Sequence, residues 1–208
     1  MQTIILKIII HLQTFMNTKM NGKLIIFSAP SGTGKTTIVR HLMESDLDLE
    51  FSISATSRQK RDGEQDGKDY YFFTPELFKE KIENNEFLEW EEVYCNQFYG
   101  TPIAEINRIF GNCHHAVFDV DVVGGLNIKK KYPENSLSIF LMPPSLEILR
   151  ERLLMRGTET EESFRKREEK AVFELGFAEK FDAIIVNDEL KTAQEEAYRI
   201  VKNFLLNK

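Results

Sequence analysis

Ala29-Pro30-Ser31-Gly32-Thr33-Gly34-Lys35-Thr36 carries the residue types and spacing of a loop that cradles a polyphosphate. An apolar run, Leu24-Ile25-Ile26-Phe27, precedes it, and a helical pattern opens near Thr37. Strand, glycine-rich turn and helix together turn backbone N–H groups inward and place a helix N-terminus behind an anion. Lys35 would reach the outer phosphates, and the Thr36 hydroxyl is the expected Mg²⁺ ligand. The first position of the Gly-x-x-x-x-Gly-Lys-Ser/Thr pattern is Ala29, which is tolerable if that residue needs no positive φ.

A second chemistry sits at Arg58 and Arg61, just after an apolar run. Two guanidinium forks three residues apart can converge on one phosphate, bidentately. The alternative is a solvated basic loop, which a chain already built for phosphate makes the weaker reading. A third lies in Glu86-Phe87-Leu88-Glu89-Trp90-Glu91-Glu92. Strict alternation would put Phe87, Glu89 and Glu91 on one face and Leu88 and Trp90 on the other. A carboxylate among aromatics can accept from two adjacent donors such as N1–H and N2–H₂ of guanine, and adenine would leave it unpaired. Periodicity alone leaves Glu89 and Glu91 equivalent.

Ala116-Val117-Phe118-Asp119-Val120-Asp121 reads as an apolar strand ending in carboxylates. One of them could serve a metal shell and the other the acceptor, with both expected on the same side. A turn-capping aspartate is the structural alternative for either. Finally, Arg150, Arg152, Arg156, Arg165 and Arg167 flank Gly157-Thr158-Glu159-Thr160-Glu161. Two arginine-bearing helices meeting at a glycine make a lid able to stabilise a transferred phosphoryl group. Thr158 and Glu161 have capping-box spacing. Arg150 and Arg165 fit better as exposed partners of neighbouring glutamates.

The elements that must position these groups alternate. Strands are expected at 23–28, 49–54, 116–121, 136–141 and 183–186, with helices at 36–44, 124–131, 145–156, 161–179 and 192–206. That rhythm predicts an α/β fold, a parallel sheet flanked by helices. Residues 55–110 break it, with short strands at 70–73 and 87–93 and helices opening at Thr74-Pro75 and Thr101-Pro102. This block is expected to be a small α+β insert over the carboxyl ends of the strands, where open α/β sheets bind ligands.

The 208 residues suit one such domain, and 42% hydrophobic with 29% charged residues is ordinary for a globule. A net charge of −6 argues against a nucleic-acid or anionic-membrane surface. Cys95 and Cys113 lack metal or redox spacing and read as reduced thiols, and His114-His115 reads as a loop pair. Residues 4–10 are apolar, but Lys7 interrupts them and they are too short to span a bilayer. No small-residue cleavage site follows. Residues 1–21 are expected to be an extension outside the core, with a membrane tether the weaker reading.

Taken in order, Ser-Ala-Pro-Ser-Gly-x-Gly-Lys, Arg-x-x-Arg-x-Gly-Glu, Gly-x-x-Tyr, Glu-Trp, Tyr-Gly-Thr, the aspartate strand and Arg-Gly-Thr-Glu-Thr-Glu-Glu make the chain resemble the guanylate kinases from about Gly22 onward. The resemblance implies a P-loop kinase over 22–208, with a GMP-binding subdomain at 55–110 and a lid at 150–170. It implies transfer of the γ-phosphate of ATP to GMP or dGMP with Mg²⁺, in the cytoplasm, and leaves homo-oligomerisation open. It assigns Ala29, Pro30, Ser31, Gly32, Thr33, Gly34, Lys35, Thr36, Thr37 and Asn187 to ATP. Arg58, Arg61, Tyr70 and Tyr99 go to the GMP phosphate, and Ser54, Glu89 and Thr101 to guanine, which selects Glu89 over Glu91. Lys35, Arg58, Arg152, Arg156 and Arg167 are the implied catalytic set, Thr36 and Asp119 the metal ligands, with Asp121 on the acceptor side. Lys60 stands where the family has proline, and Ser57 where it has threonine. A guanylate-kinase-like protein-binding module, a sugar-phosphate kinase and a GTPase are the competing readings. The intact loop, the guanine contacts and the lack of an Asn-Lys-x-Asp motif count against them in turn.

Overall fold

The computed structural model describes residues 22–155 and 161–207. Residues 1–21, Arg156 and the Thr158–Glu161 capping box lie outside the described residues or side chains.

The core is a parallel sheet of β1 (Leu24–Ser28), β2 (Leu49–Phe51), β7 (His115–Asp119), β8 (Ser136–Met142) and β9 (Ala183–Val186), in the order β2-β7-β1-β8-β9. All five residues of β1 are buried, as a central parallel strand covered on both faces requires. On one face Ile25, Phe27, Val117 and Ile139 pack with residues of α1 (Lys35–Met43) and α7 (Leu190–Leu206). On the other, Leu24, Ile26 and Phe118 meet Ile106 and Ile109 of α3 (Ile103–Gly111) and Ile128 of α4 (Val122–Lys131). The α/β architecture read from the alternation is therefore the observed one.

A second sheet, in the order β4-β3-β6-β5, is built from β3 (Ala55–Thr56), β4 (Tyr71–Phe72), β5 (Phe87–Tyr94) and β6 (Gln97–Pro102). It is held by Phe78 of α2 (Pro75–Glu83), whose ring stacks on Phe87 at 4.3 Å and on Phe98 at 5.5 Å between centroids. Thr74 caps α2 by accepting from Leu77 N–H, and Pro75 opens it, as the Thr-Pro pair predicts.

Several expectations need correction. β2 stops at Phe51 because the chain then leaves the core sheet, with Ile53 N–H turned to Glu105. β7 stops at Asp119, and Asp121 caps α4 by accepting from Gly124 N–H at 2.8 Å, so the two aspartates do not share a strand face. Thr101 is not a helix cap but lies in β6, and Pro102 takes the N-cap place of α3. β3 and β6 were not expected at all. Strict alternation along β5 also fails, because the register moves from Phe87 opposite Pro102 to Glu89 opposite Thr101. That bulge adds one residue on β5 and flips the faces. Phe87 and Trp90 consequently both face the Phe98 side, while Leu88 packs toward the core. His115 belongs to β7 and accepts Lys23 N–H at Nδ1. The expected long helix after residue 160 divides into α6 (Glu161–Leu175) and a 3₁₀ turn, Ala178–Lys180, with Gly176 between them.

Candidate active site

The loop after β1 has the geometry that its glycines suggest. Gly32 and Gly34 sit at φ +91° and +92°, and Ala29 is not among the positive-φ residues. Ala29 is instead buried with Phe27 and Ile38, so a small apolar residue suits the first motif position. Gly34 occupies the N-cap of α1 without a side-chain cap, and no acidic residue stands in the first turn. The helix N-terminus therefore keeps its partial positive charge for an anion. The loop lines a cleft of about 370 Å³ together with Asp119, Asp121, Arg167, Lys170 and Glu174.

Lys35 extends across this cleft to β7. Its Nζ lies 2.6 Å from Asp119 Oδ1 and donates to the Val120 carbonyl at 3.2 Å. The pairing follows from topology, since β7 runs parallel beside β1 with Asp119 opposite Phe27. Behind the loop, Asn187 Nδ2 donates to the Thr33 carbonyl at 2.6 Å. Both guanidinium Nη atoms of Arg152, in α5 (Leu146–Leu154), donate to the Asn187 carbonyl at 3.2 Å. Arg152 thus reaches the back of the loop. Arg150 pairs with Glu168 and Arg165 with Glu169, the ordinary surface roles anticipated for them.

A second cleft, of about 350 Å³, opens between the two sheets and is lined by Ser54, Arg61, Tyr70, Glu89, Tyr99 and Asp121 among others. Asp119, Val120, Asp121 and Lys170 line both clefts, so the two spaces share a wall. Thr101 Oγ1 donates to Glu89 Oε1 at 2.8 Å. Burial pushes the Glu89 carboxyl up to about 7, with Asp121 and Glu91 adding like charge nearby and the Thr101 hydroxyl opposing them. Glu91 also lines this cleft, its carboxyl raised by burial and by Asp121.

Arg58 behaves differently from Arg61. Its fork closes on Glu64, Nη1 to Oε2 at 2.7 Å and Nη2 to Oε1 at 2.5 Å, and its guanidinium lies 5.1 Å from the Tyr70 ring centroid. The Arg58 fork and the Arg61 N–H hold the Glu64 carboxyl down at about 2. The Tyr70 and Tyr99 rings meet edge to face at 6.1 Å. Of the residues expected from sequence, Ser54, Arg61, Tyr70, Glu89, Tyr99 and Asp121 converge on one cleft, and the loop, Asp119 and Arg167 on the other. Arg58 lies beside Tyr70, Thr101 stands behind Glu89, and Asn187 and Arg152 stand behind the loop. Lys170 and Glu174 were missed. Nothing in their local spacing marks them, because only the docking of α6 brings them to the wall.

A family model described as guanylate kinase matches residues 21–207. The chain belongs to the guanylate kinase family. A guanylate kinase of Bacteroides fragilis is 52% identical over 184 residues, covering 88% of this chain and 90% of that relative. One of Porphyromonas gingivalis is 50% identical, covering 88% and 98%. A crystal structure of guanylate kinase from Anaplasma phagocytophilum superposes with a TM-score of 0.72 at 29% identity, over 91% of this chain and 89% of that one. No helix among the described residues is long and apolar enough to cross a membrane.

Proposed function

We propose that this chain transfers the γ-phosphoryl group of ATP to GMP and dGMP, yielding ADP and the nucleoside diphosphate, as an enzyme of cytoplasmic purine nucleotide metabolism. The observation that carries this reading is the shared wall of the two clefts, with a polyphosphate loop on one side and the Glu89–Thr101 pair on the other. ATP occupies the loop side, its phosphates on the N–H groups of residues 29–37. GMP occupies the other, its base donors on Glu89 and its phosphate toward Arg58, Arg61, Tyr70 and Tyr99. Residues 22–208 act as one kinase unit, with the second sheet as its GMP-binding part and 150–170 as its lid.

An acceptor phosphate oxygen attacks the γ-phosphorus as the bond to the ADP oxygen breaks. A phosphate dianion needs no general base, so the protein's work is alignment and charge stabilisation. Lys35, Arg167 and Lys170 supply positive charge around the transferred group, Arg156 belongs to the lid, and Arg152 supports the loop from behind through Asn187. The Thr36 hydroxyl and the Asp119 carboxylate line the loop cleft and are oxygen donors of the kind Mg²⁺ takes. When bound, Mg²⁺ neutralises charge developing on the phosphate oxygens.

The test is ADP release with MgATP and each nucleoside monophosphate. Turnover is expected with GMP and dGMP far above AMP, CMP or UMP. Equal rates with all acceptors would sink the guanine assignment. The protein-binding-module reading predicts no turnover with any of them.

A further inference from the structure

Among the described residues, Glu105 is the most heavily bonded carboxylate outside the two clefts. It stands in the first turn of α3 with its side chain 1% exposed. Oε1 accepts from Ile53 N–H at 3.0 Å and from Arg108 Nη2 at 2.7 Å. Oε2 accepts from the Tyr71 hydroxyl at 2.9 Å and from Arg108 Nε at 3.1 Å. Burial alone would raise this carboxyl, but the bonds from Arg108, Ile53 and Tyr71 hold it below its ordinary value. A carboxylate so saturated is fixed in place.

What it fixes is specific. Ile53 lies in the link between β2 of the core sheet and β3 of the second sheet, immediately before Ser54. Tyr71 immediately follows Tyr70. Ser54 and Tyr70 line the acceptor cleft, whereas Tyr71, Glu105 and Arg108 line a separate cleft of about 550 Å³. Tyr71 N–H also donates to the Ser54 carbonyl at 2.9 Å, so both tied segments touch each other. The link has little else to hold it by side chain, since the buried Ser52 Oγ finds no hydrogen-bond partner among the described residues. Arg108 in turn bonds Glu50 of β2, which also takes Asn112 and His114. The chain of contacts therefore runs from the core sheet, through Arg108 and Glu105, to the segments that carry Ser54 and Tyr70.

We propose that Glu105 is a positioning residue for the acceptor nucleotide, its carboxylate setting the spacing between Ser54 and Tyr70 from behind the cleft. The inference rests on the GMP-acceptor reading. Loss of this tie weakens GMP binding while leaving the ATP loop untouched, because no link of the network reaches residues 29–37.

The experiment compares KM for GMP, KM for ATP and kcat in the wild-type chain, Glu105→Gln and Tyr71→Phe. Gln keeps the shape of Glu but turns an amide donor toward existing donors. Phe removes only the Tyr71 hydroxyl. KM for GMP is expected to rise about tenfold in Glu105→Gln and about threefold in Tyr71→Phe, the scale of charge-assisted bonds lost in a buried site. KM for ATP and kcat are expected to stay within about twofold, which general loosening of the fold would not produce. Should Glu105→Gln fail to fold, Tyr71→Phe carries the same test alone. Folded variants with an unchanged KM for GMP, or with both KM values raised alike, overturn the inference. A wild-type chain that does not turn over GMP overturns instead the reading on which it rests.

Discussion

Lys35 Nζ and Asp119 Oδ1 lie 2.6 Å apart where the two clefts meet. Lys35 opens α1 after the loop that leaves the carboxyl end of β1, and Asp119 ends the neighbouring parallel strand β7, so both stand where open α/β sheets gather their ligands. The lysine is thereby held extended across the wall, aimed at the space a transferred phosphoryl group would cross. Its side chain is 16% exposed and that of Asp119 27%, so the pair is shielded but reachable.

Lys35→Ala is expected to lower kcat/KM by roughly 10²–10³-fold with every acceptor, the range for removing one positioned transition-state donor. Rates of ADP release with GMP and with dGMP check it. Because the bonds of Lys35 go to Asp119 and the Val120 carbonyl, on the core sheet, the KM for GMP should move little. A drop confined to one of the two acceptors would show that Lys35 senses the sugar 2′ position rather than the transferred phosphoryl group.

Glu89 should impose a pH dependence on GMP use. Its carboxyl titrates near 7 because it is buried, and guanine donors require the ionised form. The value of kcat/KM for GMP is therefore expected to fall as pH drops from about 8 through 7. The acceptor's own phosphate titrates near pH ~6, so Glu89→Gln should remove the upper limb and leave the lower. The stability effect has the opposite sense. A carboxyl raised on folding favours the folded state when protonated, and that advantage is lost as pH climbs from the unfolded value toward 7. Glu89→Gln should thus raise Tm relative to wild type at pH 8 more than at pH 5, measured by thermal melts in both buffers.

The sequence made the phosphate loop legible because its signal is local: a strand, two glycines needing positive φ, a lysine and a helix in unbroken order. The parallel core was legible for the same reason, through alternation of apolar runs with helical periods. The second sheet was not. β6 contains Gly100, Thr101 and Pro102, residues that locally read as a turn and a helix start, and only pairing with β5 makes them a strand. The bulge after Phe87 moved Phe87 off the expected face, while Glu89 and Glu91 kept the common face that alternation gave them and that left them equivalent. Glu105 was invisible because an acidic residue in a first helical turn has an ordinary reason to be there. Its four bonds reach three partners, Ile53, Tyr71 and Arg108, from separate stretches of chain, which no spacing rule can express.

The aromatic stack under the second sheet should be separable from the core. Phe78 is fully buried between Phe87 and Phe98, in a cluster made of residues of the second sheet and its helix. Phe78→Leu should cost on the order of 1–2 kcal/mol and Phe78→Ala about 3–5. With stability followed by urea unfolding, the Leu variant is expected to show a raised KM for GMP with ATP binding near wild type. If ATP affinity fell in step, the second sheet would not be an independent acceptor platform.

Asn187 allows the donor side to be tested in the same way. The family resemblance puts this residue near adenine, yet its amide nitrogen lies 2.6 Å from the Thr33 carbonyl and its backbone carbonyl takes both forks of Arg152. Asn187 is buried, and so is Thr33, so removing the amide leaves a loop carbonyl without its donor in a place water reaches poorly. Such an orphaned acceptor costs about 1–3 kcal/mol, and the strain falls on the loop that must present its N–H groups to phosphate. Asn187→Ala is therefore expected to raise KM for ATP by roughly tenfold, with KM for GMP little changed. A base-reading role and a loop-supporting role part company when the donor is varied. If Asn187 reads adenine, the variant should lose its preference for ATP over GTP. If it supports the loop, both triphosphates should weaken by similar factors, and that is the outcome the Thr33 bond predicts. Gly34→Ala provides the complementary strain. Its φ of +92° disfavours any side chain, and the added Cβ would come within 2.5 Å of the same amide nitrogen. It should raise KM for ATP as Asn187→Ala does. Combining the two substitutions should cost less than the product of their separate effects, because both break the one contact between Asn187 and the loop.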